Sequence, residues 1–201
     1  MGIFLRIAAY LFHPLFMPML GAFVYYMVTR RFFEPEIIQT KLVALLIVTV
    51  CIPVVCFYLL RNLGWISSMS LETVRERKAP LMIQCVLLLL VLKMVYNPYD
   101  TPELYFFFVG VLFATLAAFI LAVLEFKASL HMMGVAGVTF FVFGLSVHFS
   151  TNMLLALGLL FFINGWVASS RLYTRSHTAP ELLAGAFLGV MPQLILLGYW
   201  L

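Results

Sequence analysis

The residues best suited to chemistry lie in segment 170–181, SRLYTRSHTAPE, near the C-terminal end of a very apolar chain. His177 and Glu181 are four positions apart, so they lie on one side of the chain if a helix begins with Pro180 in its first turn. A carboxylate there can hold the imidazole in one tautomer. Arg171 adds a planar fork of N–H donors that suits phosphate oxygens. The segment therefore predicts a nucleophile, its orienting group and an anion clamp.

This spacing, Ser-Arg-x5-His-x3-Glu, resembles the third signature of the type 2 phosphatidic acid phosphatase superfamily, where an Asp stands in place of Glu181. The family's second signature, Pro-Ser-Gly-His, is similar to residues 128–131, Ala-Ser-Leu-His, which keep the Ser and the His. The resemblance implies that the two histidines, His177 and His131, act on one phosphate group.

The family's first signature, Lys-x6-Arg-Pro, is the poorest match. Its counterpart is the basic run 75–80, in which Pro80 is kept and Ala79 precedes it, while Glu72 stands at the position of the leading Lys. The loss of that Lys removes one expected phosphate contact. In all, the resemblance extends from residue 75 to residue 189.

The resemblance implies a membrane lipid phosphatase that works through a phosphohistidine. His177, held by Glu181, is the expected nucleophile, and His131 is the expected acid for the leaving oxygen. No metal or other cofactor is expected, because cationic side chains would neutralise the phosphate. The expected phosphate-binding residues are Arg171, Arg75, Arg77, Lys78, Ser129 and Lys127. Arg175 is a further candidate for adding positive charge around the bound phosphate.

Composition indicates an integral membrane protein. Of 201 residues, 65% are hydrophobic and 10% are charged, which is far too apolar for a soluble domain. The net charge of +4 is modest, and no basic stripe with interleaved aromatics favours a nucleic-acid partner. The expected partners are therefore membrane lipids and a lipid phosphate, while the sequence does not give the oligomeric state. The three cysteines lie in apolar runs and are interpreted as buried small hydrophobes.

Hydropathy predicts an all-α bundle of about seven transmembrane helices in a single domain. A core of residues 61–201 carries the signatures, and residues 1–60 add two further spans. The predicted spans are 7–28, 42–60, 81–96, 104–124, 132–149, 153–168 and 182–201. Prolines in the first two spans predict kinks, Ser70 is a candidate cap for a short helix in the loop 61–80, and Gly185 and Gly189 predict close helix packing.

Seven alternating spans place the loop 61–80, the connection 125–131 and the connection 169–181 on one membrane face. The site is therefore expected at that face. Two other histidines lie outside the signatures: His13 is interpreted as a packed or interfacial residue, and His148 receives no role.

Several alternatives remain open on the sequence alone. A catalytically degenerate lipid-phosphate binder, a structural membrane subunit and a lipid transporter are the competing functions. The loops on the site face carry eight cations and those on the other face carry four, a count that favours a cytoplasmic site. When the six cations that could serve the site are set aside, two remain against four, and the count favours the opposite orientation. Because bacterial members of the family usually work on the outer side of the inner membrane, we expect the site to face the periplasm.

Overall fold

The computed structural model describes residues 2–67, 71 and 73–201, and this part of the chain is helical, with no strand. A 3-10 turn at Pro14–Phe16 and a π-helical turn at Ile47–Cys51 interrupt the α-helices. The α-helices are α1 (Gly2–Leu11), α2 (Met17–Val28), α3 (Pro35–Leu46), α4 (Ile52–Asn62), α5 (Val74–Met94), α6 (Pro102–Val123), α7 (Leu130–His148), α8 (Leu154–Tyr173) and α9 (Ala179–Leu197).

Among the described residues, five helical segments are long and apolar enough to cross a membrane. They are Pro35–Asn62, Pro102–Val123, Leu130–His148, Leu154–Tyr173 and Ala179–Leu197. A sixth is possible if Phe4–Leu11 and Pro14–Val28, which meet at a 43° bend, form one span. The fold is therefore that of a membrane protein with five or six candidate spans, and the predicted seventh is not confirmed.

The unconfirmed span is α5, which carries charged residues in its first turns and Lys93 near its end. The sequence predicted a short helix around Arg75 and Arg77, separate from the span 81–96, but in the structure these residues belong to α5 itself. Thr73 caps the helix in a reciprocal capping box with Glu76, so helix geometry begins before the basic residues. The proposed cap Ser70, like Glu72, lies outside the described residues.

Both predicted proline kinks have counterparts in the structure. The 43° bend falls at Pro14, and His13 caps the 3-10 turn that follows it. In the second span the irregularity is the π-helical turn, which ends two residues before Pro53. That span also begins at Pro35, inside the stretch the sequence assigned to a loop, because the proline fits the first turn of a helix.

Helices α7 and α9 pack closely through glycine. A Cβ on Gly185 would collide with the carbonyl oxygen of Ser129, and one on Gly189 would collide with that of Met133. The backbone N–H of Ser129 also donates to the carbonyl of Glu181 at 3.0 Å. The predicted packing role of the two glycines is confirmed, and it brings the first residues of α7 and α9 together.

The two ends of the bundle carry separate polar clusters. We call the end that holds the first residues of α7 and α9 the site end, and the other the far end. At the far end Glu103 is fully buried and accepts hydrogen bonds from Arg31 at 3.0 Å and from Tyr25 at 3.2 Å, while Nε2 of His148 lies 3.3 Å from its Oε1. This cluster joins α2, α6 and α7, so His148, which received no role from the sequence, has a structural one.

Candidate functional site

His177 lies between α8 and α9 and is only 8% exposed. Its Nδ1 is 2.8 Å from Oε2 of Glu181, and the backbone N–H of Thr178 donates to the same oxygen at 3.2 Å. Because Thr178 is the N-cap of α9 and Glu181 is the third residue of that helix, the capping geometry itself holds the carboxylate beside the ring. The predicted His177–Glu181 pair is therefore present.

The second ring nitrogen of His177 meets an arginine. Nη2 of Arg77 lies 3.5 Å from Nε2 of His177. A guanidinium can only donate, so Nε2 must be the unprotonated nitrogen, and Nδ1 must carry the proton that it donates to Glu181. Both contacts thus favour the same neutral tautomer, in which the lone pair is on Nε2.

Arg77 is itself held firmly. It is 7% exposed, its Nε donates to the carbonyl of Leu71 at 3.1 Å, and its Nη1 donates to that of Ala128 at 2.8 Å. Neutral carbonyls satisfy its donors without neutralising its charge. The guanidinium therefore remains a fixed positive group next to Nε2 of His177.

The environment of His177 lowers its pKa from the ordinary value of 6.5. Burial is the largest cause, because it disfavours the charged imidazolium, and the positive charge of Arg77 acts in the same direction. The hydrogen bond to Glu181 opposes both. The ring is consequently neutral at pH 7, the state that a nucleophile requires.

His177 lines a cavity of about 950 Å³ that extends from the site end into the bundle. This volume lies at the upper end of the range of about 300–1,000 Å³ that is usual for ligand pockets. Among the described lining residues there is no Asp or Glu. The cationic and imidazole side chains of the lining are those of Arg6, Arg77, Lys127, Arg171, Arg175, His13, His131 and His177.

The remaining wall is mostly apolar and comes from several helices. It includes Pro53 and Phe57 of α4, Val111 of α6 and Met133 and Val138 of α7. The cavity therefore has a cationic end and an apolar interior, which are complementary to the charged headgroup and the hydrocarbon chain of an anionic lipid.

Arg171 lines the cavity with part of its hydrogen-bonding capacity unused. Its Nη2 donates to Oγ of Ser176 at 2.5 Å, while its buried Nε has no hydrogen-bond partner among the described residues. A buried donor without a partner is costly unless a ligand satisfies it. Lys127, on the connection before α7, donates to the carbonyl of Ser176 at 3.2 Å and lines the same cavity.

His131 also lines the cavity. Its Nε2 lies 3.1 Å from the carbonyl oxygen of Ala9 in α1. Because a carbonyl only accepts, Nε2 carries the proton, and Nδ1 is left as the acceptor in the neutral ring. The ring of His13 packs edge-on against it, with ring centroids 5.4 Å apart.

Three predicted phosphate-binding residues do not line the cavity. Lys78 forms a 2.8 Å ion pair with Glu125, and Arg75 is exposed. Ser129 is fully buried as the N-cap of α7, with Oγ accepting from the backbone N–H of Met132. These residues lie beside the site and support its framework, whereas Arg77, Lys127 and Arg171 face the cavity.

Sequence reasoning missed the part played by the N-terminal segment. Arg6, Tyr10 and His13 line the cavity, although all three precede the region that resembles the phosphatase signatures. A signal was present in His13, because an ionisable side chain inside an apolar span is costly and usually functional. The interpretation of His13 as a packed residue agrees with its ring contacts to Phe16 and His131, but it did not predict that the residue lines the cavity.

Among the described residues, no group of three or more His, Cys, Asp or Glu side chains is placed to hold a metal ion. Comparison of the chain with protein-family models, with curated proteins and with solved structures found no match.

Proposed function

We propose that the protein is a metal-independent membrane lipid phosphatase that hydrolyses a lipid phosphomonoester or an isoprenoid pyrophosphate. The observation that carries this proposal is the state of His177: a neutral imidazole with its proton directed to Glu181 and its lone pair beside Arg77, at the wall of a cationic cavity. This is the arrangement of an activated nitrogen nucleophile with an anion-binding group next to it.

The anion would bind at the cationic end of the cavity. Arg77 and Arg171 supply guanidinium donors, and Lys127 adds a positive charge, with no carboxylate among the described lining residues to compete. The unpaired Nε of Arg171 gains an acceptor when phosphate binds. Charge-assisted bonds of this kind are shorter and stronger than neutral ones, so binding relieves an existing desolvation cost.

The chemical step then uses both signature histidines. Nε2 of His177 attacks phosphorus in line and forms a phosphohistidine, while the bond to the lipid oxygen breaks. His131 first takes up a proton at Nδ1, which the negative charge of the bound phosphate favours, and then gives that proton to the leaving oxygen. Glu181 stabilises the positive charge on His177, and water afterwards attacks the phosphohistidine to release inorganic phosphate.

The apolar wall accounts for a lipid substrate. A headgroup at the cationic end leaves its hydrocarbon chain against residues such as Phe57 and Val111, so that the chain stays out of water. We place the protein in a bacterial inner membrane with the site end toward the periplasm, following the resemblance of the signatures.

The test is the release of inorganic phosphate from a panel of lipid phosphates by the full-length protein in detergent. The panel should include a phosphatidate and an isoprenoid pyrophosphate. Wild type is expected to release phosphate from at least one of them, and His177→Ala is expected to release none while folding normally.

His148→Ala is a matched control, because it removes a histidine from the far end. If its turnover equals that of wild type while His177→Ala is inactive, hydrolysis is assigned to the site end. Binding of lipid phosphate without release by wild type would instead identify a degenerate binder and contradict the enzymatic proposal.

A further inference from the structure

The candidate site contains a third imidazole, that of His13, which lies at the break between α1 and the 3-10 turn. It is far in sequence from the signature histidines but contacts the ring of His131 and lines the same cavity. The contact is between side chains of two different elements, so it depends on how the N-terminal segment packs on α7.

The hydrogen bonds of the three rings determine what each can offer a ligand. In neutral His177 the proton is given to Glu181, and in neutral His131 it is given to the carbonyl of Ala9. Neither neutral ring therefore has an N–H left for an anion. Each presents an unprotonated nitrogen, which repels phosphate oxygens unless a proton is added.

His13 has the opposite arrangement. Its Nδ1 accepts a hydrogen bond from the backbone N–H of Leu15 at 3.4 Å, which caps the 3-10 turn. An accepting Nδ1 is unprotonated, so Nε2 carries the proton. No described residue accepts a hydrogen bond from that N–H. Of the three neutral rings, only that of His13 offers a free donor.

We propose that His13 is a phosphate-binding residue whose Nε2–H donates to a non-bridging oxygen of the phosphate group. The N-terminal segment is then part of the binding site, and the carbonyl of Ala9 from the same segment fixes the neighbouring ring of His131. The inference rests on the proposed function for the identity of the anion. It adds a residue that the signature resemblance does not contain.

Two substitutions separate binding from capping. In His13→Asn the amide oxygen can replace Nδ1 and keep the cap on Leu15, but the side chain is too short to reach the position of Nε2. In His13→Gln the amide N–H₂ reaches that position, while the capping acceptor is lost. His13→Asn therefore keeps the capping acceptor and loses the donor, whereas His13→Gln keeps the donor and loses the capping acceptor.

The experiment measures binding of inorganic phosphate to the full-length protein in detergent by calorimetry, with thermal unfolding recorded in parallel. His13→Asn is expected to weaken binding about tenfold, the usual effect of losing one hydrogen bond to a charged group. His13→Gln and the far-end control His148→Gln are expected to bind within about twofold of wild type.

Wild-type affinity in His13→Asn would overturn the inference, and if His13→Gln lost affinity at the same time, the result would indicate a capping role. Equal losses in the two variants would also overturn it, because the N–H₂ of Gln should keep the contact with phosphate. A wild type that does not bind phosphate would overturn it as well. The outcome is separable from that of the proposed function: phosphate binding that depends on His13 without lipid hydrolysis supports this inference and contradicts the phosphatase.

Discussion

At the scale of single residues, the proposed phosphohistidine chemistry depends on the protonation state of His177. The same two contacts fix its tautomer and its charge, because Glu181 accepts from Nδ1 and Arg77 faces Nε2. Burial and the guanidinium both lower the pKa of the ring from 6.5. In the proposed mechanism, Nε2 of His177 can therefore attack without a separate base to remove a proton from it.

This lowered pKa predicts the pH profile of the enzyme. Since the neutral His177 ring is the reactive form, the decline of kcat/KM on the acid side, which reports protonation of that ring, should be centred below pH 6.5. Arg77→Met removes a charge that disfavours imidazolium, so the decline should move to higher pH. The measurement is phosphate release from the best lipid substrate across a pH series.

Arg77→Lys is the control for this series, because it keeps a positive charge while losing the planar fork. Its profile should lie closer to that of wild type than the profile of Arg77→Met. A wild-type decline centred at or above 6.5, or identical profiles for Arg77→Met and wild type, would contradict the assigned role of the guanidinium.

The sequence predicted the local parts of this residue arrangement and missed the distant ones. The pair His177–Glu181 follows from a four-residue spacing and a helix start, both of which can be read along the chain. The contact of His13 with His131 depends on packing between separate elements, so no local pattern encodes it. Likewise, a basic run indicates cations but not which of them faces the cavity, and Lys78 faces Glu125 instead.

At the scale of helices, the site is positioned by the contact between α7 and α9. His131 lies in the first turn of α7, and His177 and Glu181 lie at the start of α9. Because Gly185 packs on the carbonyl of Ser129, the separation of these two helix starts is set by backbone contact.

We expect Gly185→Ala to push the two helices apart, since its Cβ would meet a backbone oxygen that cannot move by itself. Overpacking of this kind costs about 1–3 kcal/mol of folding free energy. Phosphate release should fall as well, because the two histidines would no longer meet the same phosphate. Thermal unfolding in detergent and the release assay measure the two effects.

Gly165→Ala in α8 is the matched control. Apart from the neighbouring backbone of its own helix, no atom of the described residues lies within 4 Å of the new Cβ, so the substitution should be neutral or slightly stabilising, as alanine is in a helix interior. Equal stability and turnover in the two alanine variants would show that the glycine contact does not position the site.

At the scale of the whole molecule, the two polar clusters define two ends of one bundle. The composition predicted a helical membrane protein, and the glycines predicted the packing of one helix pair. The number of crossings was harder to predict, because α5 begins with a run of charged residues, of which Arg77 lines the cavity. The buried cluster around Glu103 was also missed, since its partners come from α2, from the connection that follows α2 and from α7.

The topology predicts that α5 crosses the membrane despite its charges. The exposed residues Leu63 and Tyr99 flank it, so cysteines introduced there should react with a membrane-impermeant maleimide from opposite sides. The background replaces Cys51, Cys56 and Cys85 with serine. Labelling of both positions from the same side of intact cells or spheroplasts would show that α5 does not cross, and the seven-span prediction would be wrong.

The most direct test of the central claim is to trap the phosphorylated enzyme. The full-length protein is mixed with a lipid phosphate labelled with ³²P and quenched rapidly in alkali, where phosphohistidine survives. Wild type should retain label that is lost on acid treatment, and His177→Asn should retain none, while the far-end variant His148→Asn should label as wild type does. If His177→Asn released labelled inorganic phosphate as fast as wild type, the proposed role of His177 as the phosphorylated residue would be contradicted.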